Sequence, residues 1–315
     1  MKEIEYLVTG GTGLVGYALQ KKLQNVAFVS SSDYDLTKEN EVKSMFEKYK
    51  PEKVIHLAAK VGGIFYNINH PAELVYQNVM INTNVVHYAY KYNVEKLIAP
   101  ISNCAYPDVV EKYPLKENQL YNGPPQITNF AYAYSKRLLA VQIQAYRDQY
   151  KCNFISVIPC NMYGPNDNFN KNNSHFIAAL LRKIYEIKQD NEKTLTLLGS
   201  GKPLRQYLYS EDFAQILLIL LEKYNGKEPV NVAPEKENLS IDEIARIALK
   251  ATNSEDINIV FDDASPDGQY RKDIDTSKLA EIINGFKFTP LEDGIKKTYE
   301  WYIKNKSKYE KRMET

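Results

Sequence analysis

Tyr132 and Lys136 stand four residues apart in a run from Phe130 to about Tyr150 whose pattern predicts a helix. That spacing sets both side chains on one helical face. An ammonium held there favours phenolate and is expected to lower the tyrosine pKa from its ordinary value of about 10. Such a phenol can exchange a proton with a carbonyl or an alcohol while a hydride moves. The chain holds 25 tyrosines, so the pair alone is weak; Ser102, upstream at the end of a predicted strand, strengthens it. A second chemical signal is Gly10-Gly11-Thr12-Gly13-Leu14-Val15-Gly16, which satisfies both GxGxxG and GxxGxxG. Glycines there let the backbone turn tightly and approach a pyrophosphate. No Gly-Lys-Ser/Thr follows, which excludes a phosphate-transfer P-loop.

These residues need a scaffold, and the first half of the chain predicts one. Ile4–Val8, Val26–Val29, Lys53–Leu57, Lys96–Ile101 and Phe154–Ile158 read as buried strands. Amphipathic stretches such as Leu14–Leu23 lie between them. Alternation at that pitch implies right-handed crossovers and a doubly wound α/β parallel sheet, a Rossmann domain, and a smaller mixed α/β domain is expected beside it. The second half changes texture. Asn161–Asn173, rich in Gly, Pro and Asn, is expected to be a loop leaving the sheet. Ser174 is expected to cap a helix through about Ile187. Thr194–Leu198 reads as a strand, Ser210 to Tyr224 as a helix, and Pro229–Ala233 as a strand returning to the first sheet. Ser240-Ile241-Asp242-Glu243 is a capping box, and a last helix is expected around Leu291–Ile303. The expected partition is 1–164 plus 205–233 for the coenzyme, and 165–204 plus 234–315 for the substrate.

Composition narrows the partners. Forty Lys and Arg against thirty-nine Asp and Glu leave a formal charge of +1, which argues against nucleic acid as the main partner. The longest apolar run, Ile216–Leu221, is far short of the ~20 residues that span a bilayer. The first residues hold no signal-peptide pattern. Cys104, Cys152 and Cys160 are odd in number and lack CxxC spacing, which fits a reducing cytoplasm. The four histidines, His56, His70, His87 and His175, form no metal-binding spacing, and no metal is expected.

Ser, Tyr and Lys in that order behind a glycine-rich turn resemble the short-chain dehydrogenase/reductases. Longer motifs carry the resemblance further. They are His56-Leu57-Ala58-Ala59-Lys60-Val61-Gly62-Gly63-Ile64, Ser102-Asn103-Cys104-Ala105-Tyr106-Pro107, Asn122-Gly123-Pro124-Pro125, Tyr163-Gly164-Pro165-Asn166-Asp167-Asn168-Phe169, Arg205-Gln206-Tyr207 and Pro266-Asp267-Gly268. With them the chain resembles the GDP-L-fucose synthase family, extended members that epimerise and then reduce a GDP-4-keto-6-deoxy-sugar.

The resemblance implies Ser102, Tyr132 and Lys136 for reduction, and Cys104 with His175 for epimerisation at C3 and C5. It implies that Gly10, Gly13, Leu14, Val15, Gly16, Ser30, Ser31, Ser32, Ala58, Ala59, Tyr132, Lys136, Pro159, Met162 and His175 surround the coenzyme. Asn161, Lys183, Leu198, Arg205, Arg271 and Lys272 would serve the sugar nucleotide, Arg205 being best placed by motif. Leu198 stands where the family often has Trp, Cys160 where Thr is usual, and Ser32 where some relatives carry a basic residue. The serines favour NADP(H), with NAD(H) left open because no arginine stands beside them. Two rival expectations stay in view: a C4 reductase that leaves epimerisation to another enzyme, acting on a hexose or a heptose, and a non-catalytic nucleotide-responsive binding protein. The family resemblance also implies a homodimer, through helices near Ala72–Tyr92 and Phe130–Tyr150.

Overall fold

The computed structural model describes residues 3–313 apart from 172, 236–237 and 266, and only the backbone of 64–65 and 308–313. Pro266 of the Pro-Asp-Gly motif therefore lies outside the described residues.

Every expected strand of the first half forms, with ends moved by a residue or two. They are β1 (Ile4–Thr9), β2 (Val26–Val29), β3 (Pro51–His56), β4 (Lys96–Pro100) and β5 (Asn153–Pro159). The helices between them are α1 (Leu14–Leu19), α2 (Glu39–Tyr49), α3 (Ile64–Asn69), α4 (Pro71–Lys91) and α5 (Phe130–Tyr150). After β5 come β6 (Asn161–Tyr163), α6 (Phe176–Gln189), β7 (Thr194–Leu198), β8 (Leu204–Arg205), β9 (Tyr207–Tyr209), α7 (Ser210–Lys223) and β10 (Val230–Val232). The chain closes with β11 (Leu239–Ser240), α8 (Ile241–Ala251), β12 (Asn258–Asp262), α9 (Ser277–Ile282) and α10 (Leu291–Met313).

The main sheet is parallel, in the order β10-β5-β4-β3-β1-β2. Successive side chains on a strand face opposite ways, so each central strand feeds two cores. Val8, Ile55, Ile98 and Ile155 join α1 and α7 on one face. Their neighbours Leu7, Val54, Leu97 and Phe154 join α2, α4 and α5 on the other. Burial on both faces is why these strands read as continuous apolar runs. A third core gathers Ile177, Leu181 and Ile184 of α6 with Leu195, Ile244, Ala248, Ile295 and Tyr299. The fold is a doubly wound parallel sheet with a smaller α/β assembly beside it. No helix among the described residues is long and apolar enough to cross a membrane.

Four local expectations are corrected. Helix α1 stops at Leu19 instead of Leu23, because the chain tightens into a turn where Lys22 N–H donates to the Leu19 carbonyl at 2.9 Å. Leu23 still packs against the core. Asn161–Tyr163 is a strand within the expected loop, held by parallel pairing with Tyr207–Tyr209, a partner too distant in sequence for local composition to reveal. His175, not Ser174, is the N-cap of α6, without a side-chain capping bond. The Ser240 capping box forms as expected, Glu243 N–H donating to Ser240 Oγ at 3.1 Å and Ser240 N–H to Glu243 Oε2 at 2.7 Å. The last helix runs ten residues beyond the expected Ile303, to Met313.

Candidate active site

The strand order places the chain's reversal of direction between β1 and β3, and ligands of such sheets bind in the crevice beyond the strand ends at that point. The loops leaving β1, β3 and β4 there carry the glycine turn, Ala58-Ala59-Lys60 and Ser102. Gly10 adopts φ +70°, and a Cβ on it would lie 2.8 Å from Ala58 N. A Cβ on Gly16 would lie 2.5 Å from the Gly10 carbonyl oxygen, whereas one on Gly13 would meet only that oxygen, at 3.3 Å. The turn is thus packed tightly behind and left approachable at Gly13, the N-cap of α1, as a bound pyrophosphate requires. Val15 turns its side chain into the core, and Leu14 lies against the Gly164 backbone. Two side chains outside the glycine motif hold the turn: Gln20 Nε2 donates to the Gly11 carbonyl at 2.9 Å and Asn166 Nδ2 to the Thr12 carbonyl at 2.8 Å. Gly16→Ala forces this turn apart, a strain of about 1–3 kcal/mol. Coenzyme affinity is expected to fall roughly tenfold to a hundredfold, read by fluorescence titration.

At the tip of β2, Ser30 donates through both N–H and Oγ to Asp33, at 2.8 and 2.7 Å, and its Oγ also meets Ser32 Oγ at 2.7 Å. These bonds hold the Asp33 carboxyl below the usual range. Ser31 and Ser32 are exposed. The tip therefore offers hydroxyls and a carboxylate already engaged by Ser30.

Helix α5 presents Lys136 on a buried face with Ala133, Leu139 and Ala140. Its Nζ donates to the Pro100 carbonyl at the end of β4, at 3.0 Å, and stands 5.9 Å from the centre of the Tyr132 ring. Burial lowers Lys136 to about 8. The expectation of a lowered Tyr132 is reversed: burial first, then the negative charge of Cys104, pushes the phenol upward. In this arrangement Tyr132 is a held proton, an acid. His56, behind Lys136, is kept neutral by burial and the lysine's charge, its pKa lowered to about 3. It bridges Thr9 Oγ1 at 2.7 Å and Asn82 Oδ1 at 3.1 Å.

Ser102 caps a single 3-10 turn, Asn103–Ala105, its Oγ accepting from Cys104 N–H at 3.1 Å. Arg137 Nε donates to the Ala105 carbonyl at 2.6 Å, fastening that turn to α5. The sulfur of Cys104 accepts from Lys272 Nζ at 3.6 Å. Burial pushes the Cys104 thiol up, but the charge of Lys272, the Ser102 hydroxyl and the charge of Arg205 together bring it below its ordinary value. Cys104, Ser102, Tyr132 and Lys136 are thus assembled around the ends of β4 and α5.

The other expected residues are placed more loosely. His175 is exposed at the head of α6 and makes no hydrogen bond to Cys104, Ser102 or Tyr132. Its neighbour in charge is Asp167, which burial raises to about 6 against the pull of His175. Asp167 is 4% exposed, and its Oδ2 has no hydrogen-bond partner. Sequence reasoning gave Asp167 no role; its signal was the Gly-Pro-Asn-Asp-Asn-Phe run. Pro159 and Asn161 flank Cys160 at the end of β5, with Met162 partly buried. Lys183 Nζ donates to the Thr196 carbonyl at 3.0 Å, and Leu198 is 57% exposed. Arg205 approaches Gly268, whose added Cβ would lie 3.3 Å from its guanidinium. Arg271 is engaged by the Asp273 carboxylate and stacks over Tyr113.

Known proteins resemble this chain in sequence and in fold. Residues 6–233 match the NAD dependent epimerase/dehydratase family. The GDP-L-fucose synthase of Dictyostelium discoideum is 39% identical over 307 residues, 95% of each chain. The crystal structure of a GDP-L-fucose synthetase from Naegleria fowleri bound to NADP is 38% identical, with a TM-score of 0.90 over 98% of this chain and 95% of that one. A GDP-6-OMe-4-keto-L-xylo-heptose reductase from C. jejuni is 27% identical, with a TM-score of 0.87 over 97% and 99%. The chain belongs to the NAD dependent epimerase/dehydratase family and, within it, to the GDP-L-fucose synthase family.

Proposed function

We propose that this protein is an NADP(H)-dependent 3,5-epimerase and 4-reductase of a GDP-4-keto-6-deoxy-sugar. The observation that carries the reading is a base and an acid at one site: Cys104, whose sulfur the Lys272 ammonium meets at 3.6 Å, and the buried Tyr132 phenol that feels its charge, the thiol brought below its ordinary pKa and the phenol pushed above its own. A C4 ketone acidifies the protons on C3 and C5. Cys104 as thiolate takes such a proton; the C–H bond breaks, an S–H bond forms, and the electron pair passes to the C4 oxygen as an enolate. His175 returns a proton from the other face, its imidazole able to carry one on either ring nitrogen.

The turn Gly10–Gly16 at the head of α1 would hold NADPH, which would supply the hydride for C4. Tyr132 gives its proton to the C4 oxygen, and the Lys136 ammonium stabilises the phenolate left behind. Ser102 holds the ketone oxygen. Arg205, with forked donors, suits the diphosphate, with Asn161 and Lys183 nearer the sugar nucleotide's edge. On this reading residues 1–164 plus 205–233 carry the coenzyme, and 165–204 plus 234–315 carry the sugar nucleotide.

At the 2′-position, the Ser30, Ser31 and Ser32 hydroxyls receive the phosphate without an arginine of their own. Ser32→Arg adds a charge-assisted contact worth about 1.5–3 kcal/mol when well formed. It is expected to tighten NADPH about tenfold at this exposed site and leave NADH unchanged, as read by fluorescence titration. The protein is further proposed to be a cytoplasmic homodimer. Support comes from large apolar side chains left exposed on two helices packed together, Tyr134, Leu138 and Val141 on α5 and Tyr76, 63% exposed, on α4.

The test is incubation of purified protein with NADPH and GDP-4-keto-6-deoxymannose. NADPH consumption with a 6-deoxy-galactose product supports the reading. Consumption only with a ketone already epimerised, of hexose or heptose type, replaces it with a C4 reductase. No consumption with any such ketone leaves a nucleotide-binding protein.

A further inference from the structure

Lys272 was expected to meet the diphosphate, yet the structure sets its ammonium against a sulfur. Its Nζ lies 3.6 Å from Cys104 Sγ across 168 positions of sequence, and among the described residues it makes no ion pair with a carboxylate. The adjacent carboxylate, Asp273, is taken by Arg271, whose Nη2 reaches it at 2.9 Å.

The backbone carrying Lys272 is fastened on both sides. Tyr113 Oη donates to the Arg271 carbonyl at 2.9 Å, and Leu115 N–H donates to the Asp273 carbonyl at 2.9 Å. Ile274 N–H donates to Gln206 Oε1 at 2.9 Å, and Asp275 N–H to the Leu115 carbonyl at 2.8 Å. Buried Asn231 then ties both strands of this seam, its Nδ2 donating to the Leu115 and Asp275 carbonyls at 2.9 Å each. These bonds fix where the Lys272 side chain starts, so that only its own rotamer freedom, about 2 kcal/mol, opposes the contact with the sulfur.

We propose that Lys272 is a positioning residue that holds Cys104 as a thiolate, making it the base for proton removal beside the ketone. The inference rests on the epimerase reading above and adds to it the group that charges the base. The reactive form of cysteine is the thiolate, and a neighbouring ammonium stabilises it. The other groups facing the sulfur are the Arg205 guanidinium, a second cation, the Ser102 hydroxyl and the Tyr132 phenol. In the step itself the thiolate gains the sugar proton while Lys272 keeps all of its own, so the ammonium is unchanged over the cycle and no oxidant or reductant enters.

The test follows alkylation of Cys104 by iodoacetamide against pH in the full-length protein, with the labelled peptide identified by mass spectrometry. Wild type is expected to titrate below the free-thiol value of about 8.5. Lys272→Met is expected to raise the midpoint by about one pH unit, which is about a tenfold slower labelling at pH 7. Lys272→Arg keeps the charge and is expected to keep the low midpoint. Lys272→Gln, which retains length and polarity, replaces the Met variant if circular dichroism finds the latter unfolded. A midpoint that does not move on loss of the charge overturns the proposal, and a raised KM alone would then leave Lys272 as a diphosphate ligand. A midpoint that moves while no deuterium enters the sugar upholds the pairing and removes only the epimerase reading.

Discussion

Tyr132→Phe is expected to stop NADPH consumption while the sugar protons continue to exchange with solvent. The phenol hydroxyl is the only part removed, and α5 keeps its packing because Lys136, Leu139 and Ala140 hold the buried face. A positioned general acid contributes roughly 10²–10⁴-fold, so kcat for reduction should fall by about that factor. Exchange at C3 and C5 depends on Cys104 and should persist, which separates loss of the acid from loss of the pocket. The pH dependence of the wild-type reduction follows from Lys136. Its ammonium, lowered to about 8 by burial, is the form that stabilises the phenolate. Reduction is therefore expected to hold below about pH 8 and to fall as pH rises through it. Stopped-flow coenzyme absorbance checks the rate, and NMR in deuterated water checks the exchange.

Cys104→Ala should give the reverse pattern. Proton exchange at C3 and C5 is expected to drop by roughly 10²–10⁴-fold, while a ketone supplied already epimerised is still reduced. The substitution also removes the negative charge that, after burial, holds the Tyr132 phenol up. The phenol then titrates lower but remains protonated near neutrality because burial, the larger influence, is untouched. Equal loss of both activities would mean that Cys104 supports the pocket and does not act as a base within it. The two variants together ask whether one cavity runs two proton transfers with two different groups.

How much of this was legible in the sequence depends on how local each cause was. The central strands were readable because pairs such as Leu7 and Val8, or Phe154 and Ile155, bury both faces of the sheet, so apolar runs mark them with little ambiguity. The glycine turn was readable because Gly10 needs a positive φ and Gly16 has no room for a side chain. Strand β6 was not, since Asn161–Tyr163 is stabilised by Tyr207–Tyr209 and its neighbours look like loop. Capping by Ser174 was a plausible local preference overridden by the path into α6, which begins one residue later. The direction of the Tyr132 shift was misread because spacing supplied Lys136 but neither the burial nor Cys104. Arg271 and Lys272 looked equivalent as neighbouring cations; only the tertiary structure gives Asp273 to the first and Cys104 to the second.

The most direct test of the central claim is NMR of the product formed by the wild-type protein from GDP-4-keto-6-deoxymannose and NADPH in deuterated water. A base and an acid sharing one pocket predict deuterium at both C3 and C5, inverted configuration at those carbons, and one NADPH oxidised per sugar. A reduced product that keeps protium and its original configuration at C3 and C5 would contradict the account.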